Sequence, residues 1–231
     1  MLKMHKFDLL VALYIFCIMV AELMGAKTFP IGNIFGFQLN ASVAIFVIPL
    51  IFTINDIITE VHGRERARSV IQSGMLIIFL VLVVSLLFTF LPSSTRFAPS
   101  EEAYDDVFGK SARIAAASLT AFTIAGFLDV YIFSRLRERM GKHALWLRNN
   151  VSNFVSQLFD TSIFIFLAFY AFERPFDNNF VFLIGLIIPY WLLKCFMSVI
   201  ETPFVYAGVK WLRSEKDNSI VDSIKSKTKK K

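Results

Sequence analysis

The sequence predicts an all-α membrane protein with six transmembrane helices and both termini in the cytoplasm. Three observations carry that expectation. The chain is 56% hydrophobic, has 26 Phe among 231 residues and a mean hydropathy of +0.61, a balance foreign to soluble domains of this length. Its apolar runs are long enough to cross a hydrocarbon core of ~30 Å, which takes about 20 helical residues. Its Lys and Arg residues gather in alternate connecting segments, as they do in chains that obey the positive-inside rule.

The predicted spans cover roughly residues 7–26, 41–60, 70–91, 112–134, 151–172 and 180–209, the last interrupted by Pro189 and Pro203. The opening "MLKMHK", an apolar run and "AELMGA" also fit a signal peptide with a small-residue cleavage site. The length of the run and the charge pattern favour a retained helix. Lys3 and Lys6, Arg64, Arg66 and Arg68, five bases from Arg135 to Arg148, and eight more from Lys210 onward all fall on one side. The other side holds only Lys27, Arg96, Lys110, Arg113 and Arg174, beside the acidic "EEAYDD". One transmembrane domain over 1–209 and a basic cytoplasmic tail over 210–231 result. The loop over 92–111 is the one connection expected to carry extra structure.

The net charge of +6 is explained by this asymmetry. The tail "KSKTKKK" suits the anionic surface of a lipid bilayer better than a nucleic acid. Cys17 and Cys195 fall within predicted helices and His5, His62 and His143 are scattered, so no disulfide framework, metal site or cofactor is expected.

The informative residues are the polar ones placed where lipid should be. Glu22, Asp56, Glu60, Asp129, Asp160 and Glu201 face a single base, Lys194. Intramembrane charges turn toward a bundle interior or a wet cavity and mark ligand or ion paths by default. Asn150, Asn153, Gln157 and Asp160 recur at helical spacing and share one face. Lys194, Ser198 and Glu201 form a second stripe, and Asp56 and Glu60 lie one turn apart. At 1.5 Å per residue, Asp160 lies about 18 Å inward from Arg148, near mid-membrane. A buried pair such as Asp160 with Lys194 can serve packing alone. Six acids against one base exceed what pairing neutralises, which favours a polar central cavity. Glu22 and Glu60 fit the simpler reading of carboxylates near a wet interface. Phe residues, with Tyr190 or Trp191, can wall such a cavity for a flat ligand.

Enzyme motifs fail. "GKS" at 109–111 has Tyr104 where a phosphate loop needs its first Gly. Asp129 and Asp160, in the echoing "GFLDVYIF" and "QLFDTSIF", lack the Gly-x-Gly-Asp element of intramembrane aspartyl proteases.

Four segments, "FTINDIITEVHGRERARSVI" (52–71), "FLDVYIF" (127–133), "LWLRNNVSNFVSQLFDTSIF" (145–164) and "YWLLKCFMSVIETPFVY" (190–206), resemble the queuosine precursor transporters, also called the vitamin uptake transporter family. The resemblance implies a six-helix importer of 7-deazaguanine bases in the cell inner membrane, serving queuosine salvage for transfer RNA. Its motif positions fall on Asn55, Asp56, Glu60 and Gly63, on Asp129, on Arg148, Asn149, Asn150, Ser152, Gln157 and Asp160, and on Lys194, Thr202 and Pro203. Ala125 and Gly126 stand where the family often has Ser-Gln. The expected substrate site is Asp160, Gln157, Asn153, Asn150, Lys194 and Asp129, with Asp56, Glu60, Arg148 and Glu201 in gating or coupling. A carboxylate accepts the paired N–H donors of a deazaguanine, and an amide or Lys194 donates to its carbonyl. Two alternatives stand beside a self-sufficient importer: a substrate-binding subunit that needs a separate ATP-driven module, and a membrane protein with no small ligand. A homo-oligomer is compatible with this reading.

Overall fold

The computed structural model describes residues 5–34, 36–140, 145–200 and 203–214. Within them, side chains are described except at 34, 37, 64, 126, 129–130, 133–134, 136–140, 145–153 and 197–200.

The chain is mostly helical. Helix α1 (Lys6–Met24) leads into an antiparallel hairpin of β1 (Thr28–Ile34) and β2 (Phe37–Ser42). A 3-10 turn, Val43–Phe46, then precedes α2 (Ile48–His62), α3 (Arg64–Thr89), α4 (Ala98–Met140), α5 (Leu145–Phe169) and α6 (Phe176–Ile200). A further helical stretch, α7, covers 203–214 among the described residues. Among the described residues four helical segments are long and apolar enough to cross a membrane: Lys6–Met24, Val43–His62, Glu65–Thr89 and Phe176–Phe196. Phe154–Phe169 is a shorter apolar helix.

Local chemistry sets the breaks. Pro49 sits in the first turn of α2, where its missing N–H costs no helical bond. Gly63, at φ 83°, ends α2 in a conformation that disfavours a Cβ, so α3 starts at the next residue in a new direction. Pro189 lies inside α6, removing the N–H that would bond the Gly185 carbonyl.

Two connections carry added structure, where one was expected. The added structure expected in the loop over 92–111 is helix: α4 begins at Ala98 and runs 43 residues. At 1.5 Å per residue it spans about 64 Å, more than a bilayer with its headgroups, so the acidic "EEAYDD" turn extends the same helix. The Glu101 carboxylate accepts from Ser93 N and Oγ, pinning the turn before it. The hairpin was not foreseen. Its strands hold Pro30, Gly32 and Asn40, residues that usually signal loops.

Helix α4 packs against α3 on one side and α5 on the other, α1 touches α2, α3 and α4, and α6 rests on β2 and α5. Leu10, Tyr14 and Ile18 of α1 meet Ile54, Ile57 and Ile58 of α2, Ala67 and Val70 of α3, and Val209 and Leu212 of α7 in one core. A second core joins Ala41 of β2 to Ile165 of α5 and Leu183, Leu186 and Tyr190 of α6. Polar bonds close the ends. Ser111 Oγ donates to the Leu23 carbonyl, and Arg113 donates to the Leu167 and Tyr170 carbonyls at the α5 C-terminus. Those carbonyls have no helical donor and carry the negative end of the helix dipole, which suits a guanidinium.

Candidate functional site

Between α1, α2, α3, α4, α5 and α6 lies a cavity of about 280 Å³. Its polar lining is Tyr14, Glu22, Ser42, Asn55, Ser118 and the pair Asp160 and Lys194, together with the Tyr190 hydroxyl. Phe52, Phe122 and Phe164 supply aromatic wall. The volume matches the lower end of small-molecule sites, roughly 300 Å³, and the mix of apolar wall with few polar groups is typical of them.

Asp160 and Lys194 meet as expected. Lys194 Nζ donates to Asp160 Oδ2 at 2.6 Å, across the α5–α6 contact, with both side chains mostly buried. An ion pair so placed leaves unused acceptor capacity on the carboxylate and unused N–H donors on the ammonium.

The hairpin reaches the same cavity through its last residue. Ser42 Oγ donates to the Gly25 carbonyl at 2.5 Å and accepts from Ala44 N at 3.1 Å, while the Tyr190 hydroxyl donates to the Ser42 carbonyl at 3.0 Å. The C-terminal end of α1, the end of β2 and the middle of α6 are thereby fixed to one another.

Glu22 is the surprise. It was placed near a wet interface, but it is 5% exposed and faces the cavity, where Ser118 Oγ donates to its Oε2 at 3.2 Å. It pairs with no Lys or Arg among the described residues. Tyr14, Ile18, Ala21, Glu22 and Gly25 all line the cavity. They recur at steps of four, three, one and three, a single helical face that carried the signal in the sequence. Asn55 lines the cavity from α2, and its Oδ1 is buried with no hydrogen-bond partner among the described residues.

The other expected residues are distributed as follows. Gln157 is half-buried and is not part of the lining. Trp191 packs edge-on against Phe154 at 4.5 Å and does not line the cavity, whereas Tyr190 does. Asp56 is exposed on α2, one residue beyond Asn55. Glu60 accepts from Arg213 of α7 at 3.1 Å on the surface. The side chains of Asp129, Arg148, Asn150, Asn153 and Glu201 lie outside the described residues. Among the described residues, no group of His, Cys, Asp or Glu gathers as a metal cluster.

A family model described as "Putative vitamin uptake transporter" matches residues 42–208. A "Probable queuosine precursor transporter" of Bacillus subtilis is 34% identical over 185 residues, covering 79% of this chain and 78% of that protein. One of Haemophilus influenzae is 29% identical over 175 residues, covering 75% and 70%. The "Queuosine precursor transporter" of Escherichia coli is 31% identical over 128 residues, covering 54% and 53%. No solved structure matches the chain.

Proposed function

This chain belongs to the vitamin uptake transporter family, and from that premise we propose that it imports queuosine precursors, 7-deazaguanine bases, across the cell inner membrane. It is a transporter and not an enzyme. The observation that carries the substrate reading is the cavity in which Asp160 and Lys194 meet among aromatic walls. A deazaguanine presents N1–H and an exocyclic amine side by side beside a carbonyl. A carboxylate accepts the two donors, an ammonium donates to the carbonyl, and Phe164 or Tyr190 covers the ring face. In a dry pocket a ligand lacking those groups leaves Asp160 and Lys194 poorly matched, which gives sharp selectivity.

Gln157, one turn before Asp160 and outside the lining, sets the orientation of that carboxylate, and Asn153 and Asn150 of α5 with Asp129 of α4 complete the proposed substrate site. Asp56, Glu60, Arg148 and Glu201 serve gating or coupling. Six spans, with both termini cytoplasmic, place the basic tail against anionic lipid. Uptake of labelled 7-deazaguanine by a salvage-dependent strain that cannot make the base tests the function. The same uptake by the purified chain in proteoliposomes tests whether it works without an ATP-driven module. Uptake abolished in the strain by deleting the gene, yet absent in proteoliposomes, would assign this chain to the substrate-binding subunit.

A further inference from the structure

Glu22 is a cavity carboxylate for which the base-binding scheme has no use. It stands on α1, ahead of residue 42, where the family match begins. Its surroundings differ from those of Asp160. Asp160 is held by Lys194 at 2.6 Å, whereas Glu22, 5% exposed, has one hydroxyl, Ser118, at 3.2 Å. Among the described lining residues, Asp160 and Glu22 are therefore answered by one ammonium, Lys194. A carboxylate removed from water without a cation is costly, and an incoming ammonium offsets that cost through a charge-assisted hydrogen bond.

We propose that Glu22 binds the cationic arm of an aminomethyl-substituted base and so makes this chain prefer 7-aminomethyl-7-deazaguanine to its neutral 7-cyano counterpart. The proposal rests on the deazaguanine reading above. The two bases share the ring edge offered to Asp160 and Lys194 and differ in the substituent, so the substituent's partner sets the preference between them. A nitrile is a linear acceptor without an N–H, so it offers the ionised Glu22 carboxylate nothing to accept.

The experiment is equilibrium binding of both bases to the detergent-purified chain, as wild type and as Glu22→Gln. The wild type is expected to bind the aminomethyl base at least about tenfold more tightly, as one charge-assisted hydrogen bond warrants. Glu22→Gln should remove about tenfold from the aminomethyl base while moving the cyano base less than about threefold. Wild-type affinities that are equal, or reversed, overturn the proposal even if the variant fails to fold. Equal losses for both bases in Glu22→Gln also overturn it, because Glu22 would then read the shared ring. If neither base binds the wild type, this proposal and the deazaguanine reading fall together; if both bind alike, only this one does.

Discussion

Lys194 Nζ lies 2.6 Å from Asp160 Oδ2, and that contact ties α6 to α5 in the wall of the cavity. Such a pair has two consequences that pull apart under mutation. As a strut, it is strained by removing one partner, since a lone buried charge costs about 3–5 kcal/mol, while removing both is close to neutral. As a ligand site, it loses a specific acceptor with Asp160 whatever stands at 194. Asp160→Asn is expected to cost about 2–4 kcal/mol of binding by opposing donor to donor, a roughly thirtyfold to thousandfold loss. Asp160→Asn with Lys194→Met should stay weak. Binding titrations of wild type, both single variants and the double variant check this, and a double variant that binds like wild type makes Asp160 a strut.

Gly74 of α3 faces α1 at the cavity wall. A Cβ there would stand 2.7 Å from Ile18 Cδ1 and 2.9 Å from Tyr14 Cε1. Gly74→Ala gains up to about 1 kcal/mol of helix propensity, but overpacking typically costs about 1–3 kcal/mol. With Tyr14 4% exposed and its ring hemmed in, the cost is expected to win. The melting temperature in detergent should fall, and ligand affinity with it, as Tyr14 and Ile18 are pushed toward the cavity. A higher melting temperature would show that the two side chains yield without strain.

Much of the helical architecture was legible in the sequence because apolar length is a strong signal, but the span expected over 41–60 opens on the end of β2 and a 3-10 turn, and α2 begins only at Ile48. The hairpin was not legible, because Pro30, Gly32 and Asn40 have poor strand propensity and the pairing is held by contacts with α6 that no local pattern announces. In the site, Asp160 and Lys194 were legible as mid-span charges of opposite sign. Glu22 was misplaced because its closeness to the end of α1 suggested water. Its burial is a tertiary fact, supplied by Ser118 of α4 and by Ser111, which holds the α1 end against the same helix.

The Tyr190 hydroxyl donates to the Ser42 carbonyl at 3.0 Å, and both residues are buried. Tyr190→Phe keeps the ring and leaves the carbonyl without that donor, so a stability loss of about 1–3 kcal/mol is expected. Thermal unfolding in detergent reads the change. An unchanged melting temperature would mean that water takes the place of the hydroxyl and that the hairpin does not depend on α6 for its hold.

The proposed orientation has a direct check. A reporter fused after residue 231 should read cytoplasmic, and one inserted near Ser100, in the first turn of α4, should read external. A tail that reads external would show that the Lys and Arg asymmetry does not set the topology of this chain.

Two neighbours on α2 divide binding from movement. Asn55 lines the cavity, whereas Asp56 is exposed, and the next turn carries Glu60, whose partner Arg213 belongs to α7. Glu60 and Arg213 are 63% and 54% exposed, so their contact contributes about 1 kcal/mol at most and can be made and broken during a transport cycle. If Asp56 acts in that movement, Asp56→Asn should cut uptake by about tenfold or more while equilibrium binding stays within about threefold, the pattern of a lost conformational step. Asn55→Ala should do the opposite first, weakening binding through the lost cavity acceptor. Uptake and binding measured on the same membrane preparations, normalised to inserted protein, decide between them. A binding loss in Asp56→Asn as deep as that of Asp160→Asn would put Asp56 in the substrate site, and a fall in inserted protein that accounts for the lost uptake would make it a folding residue.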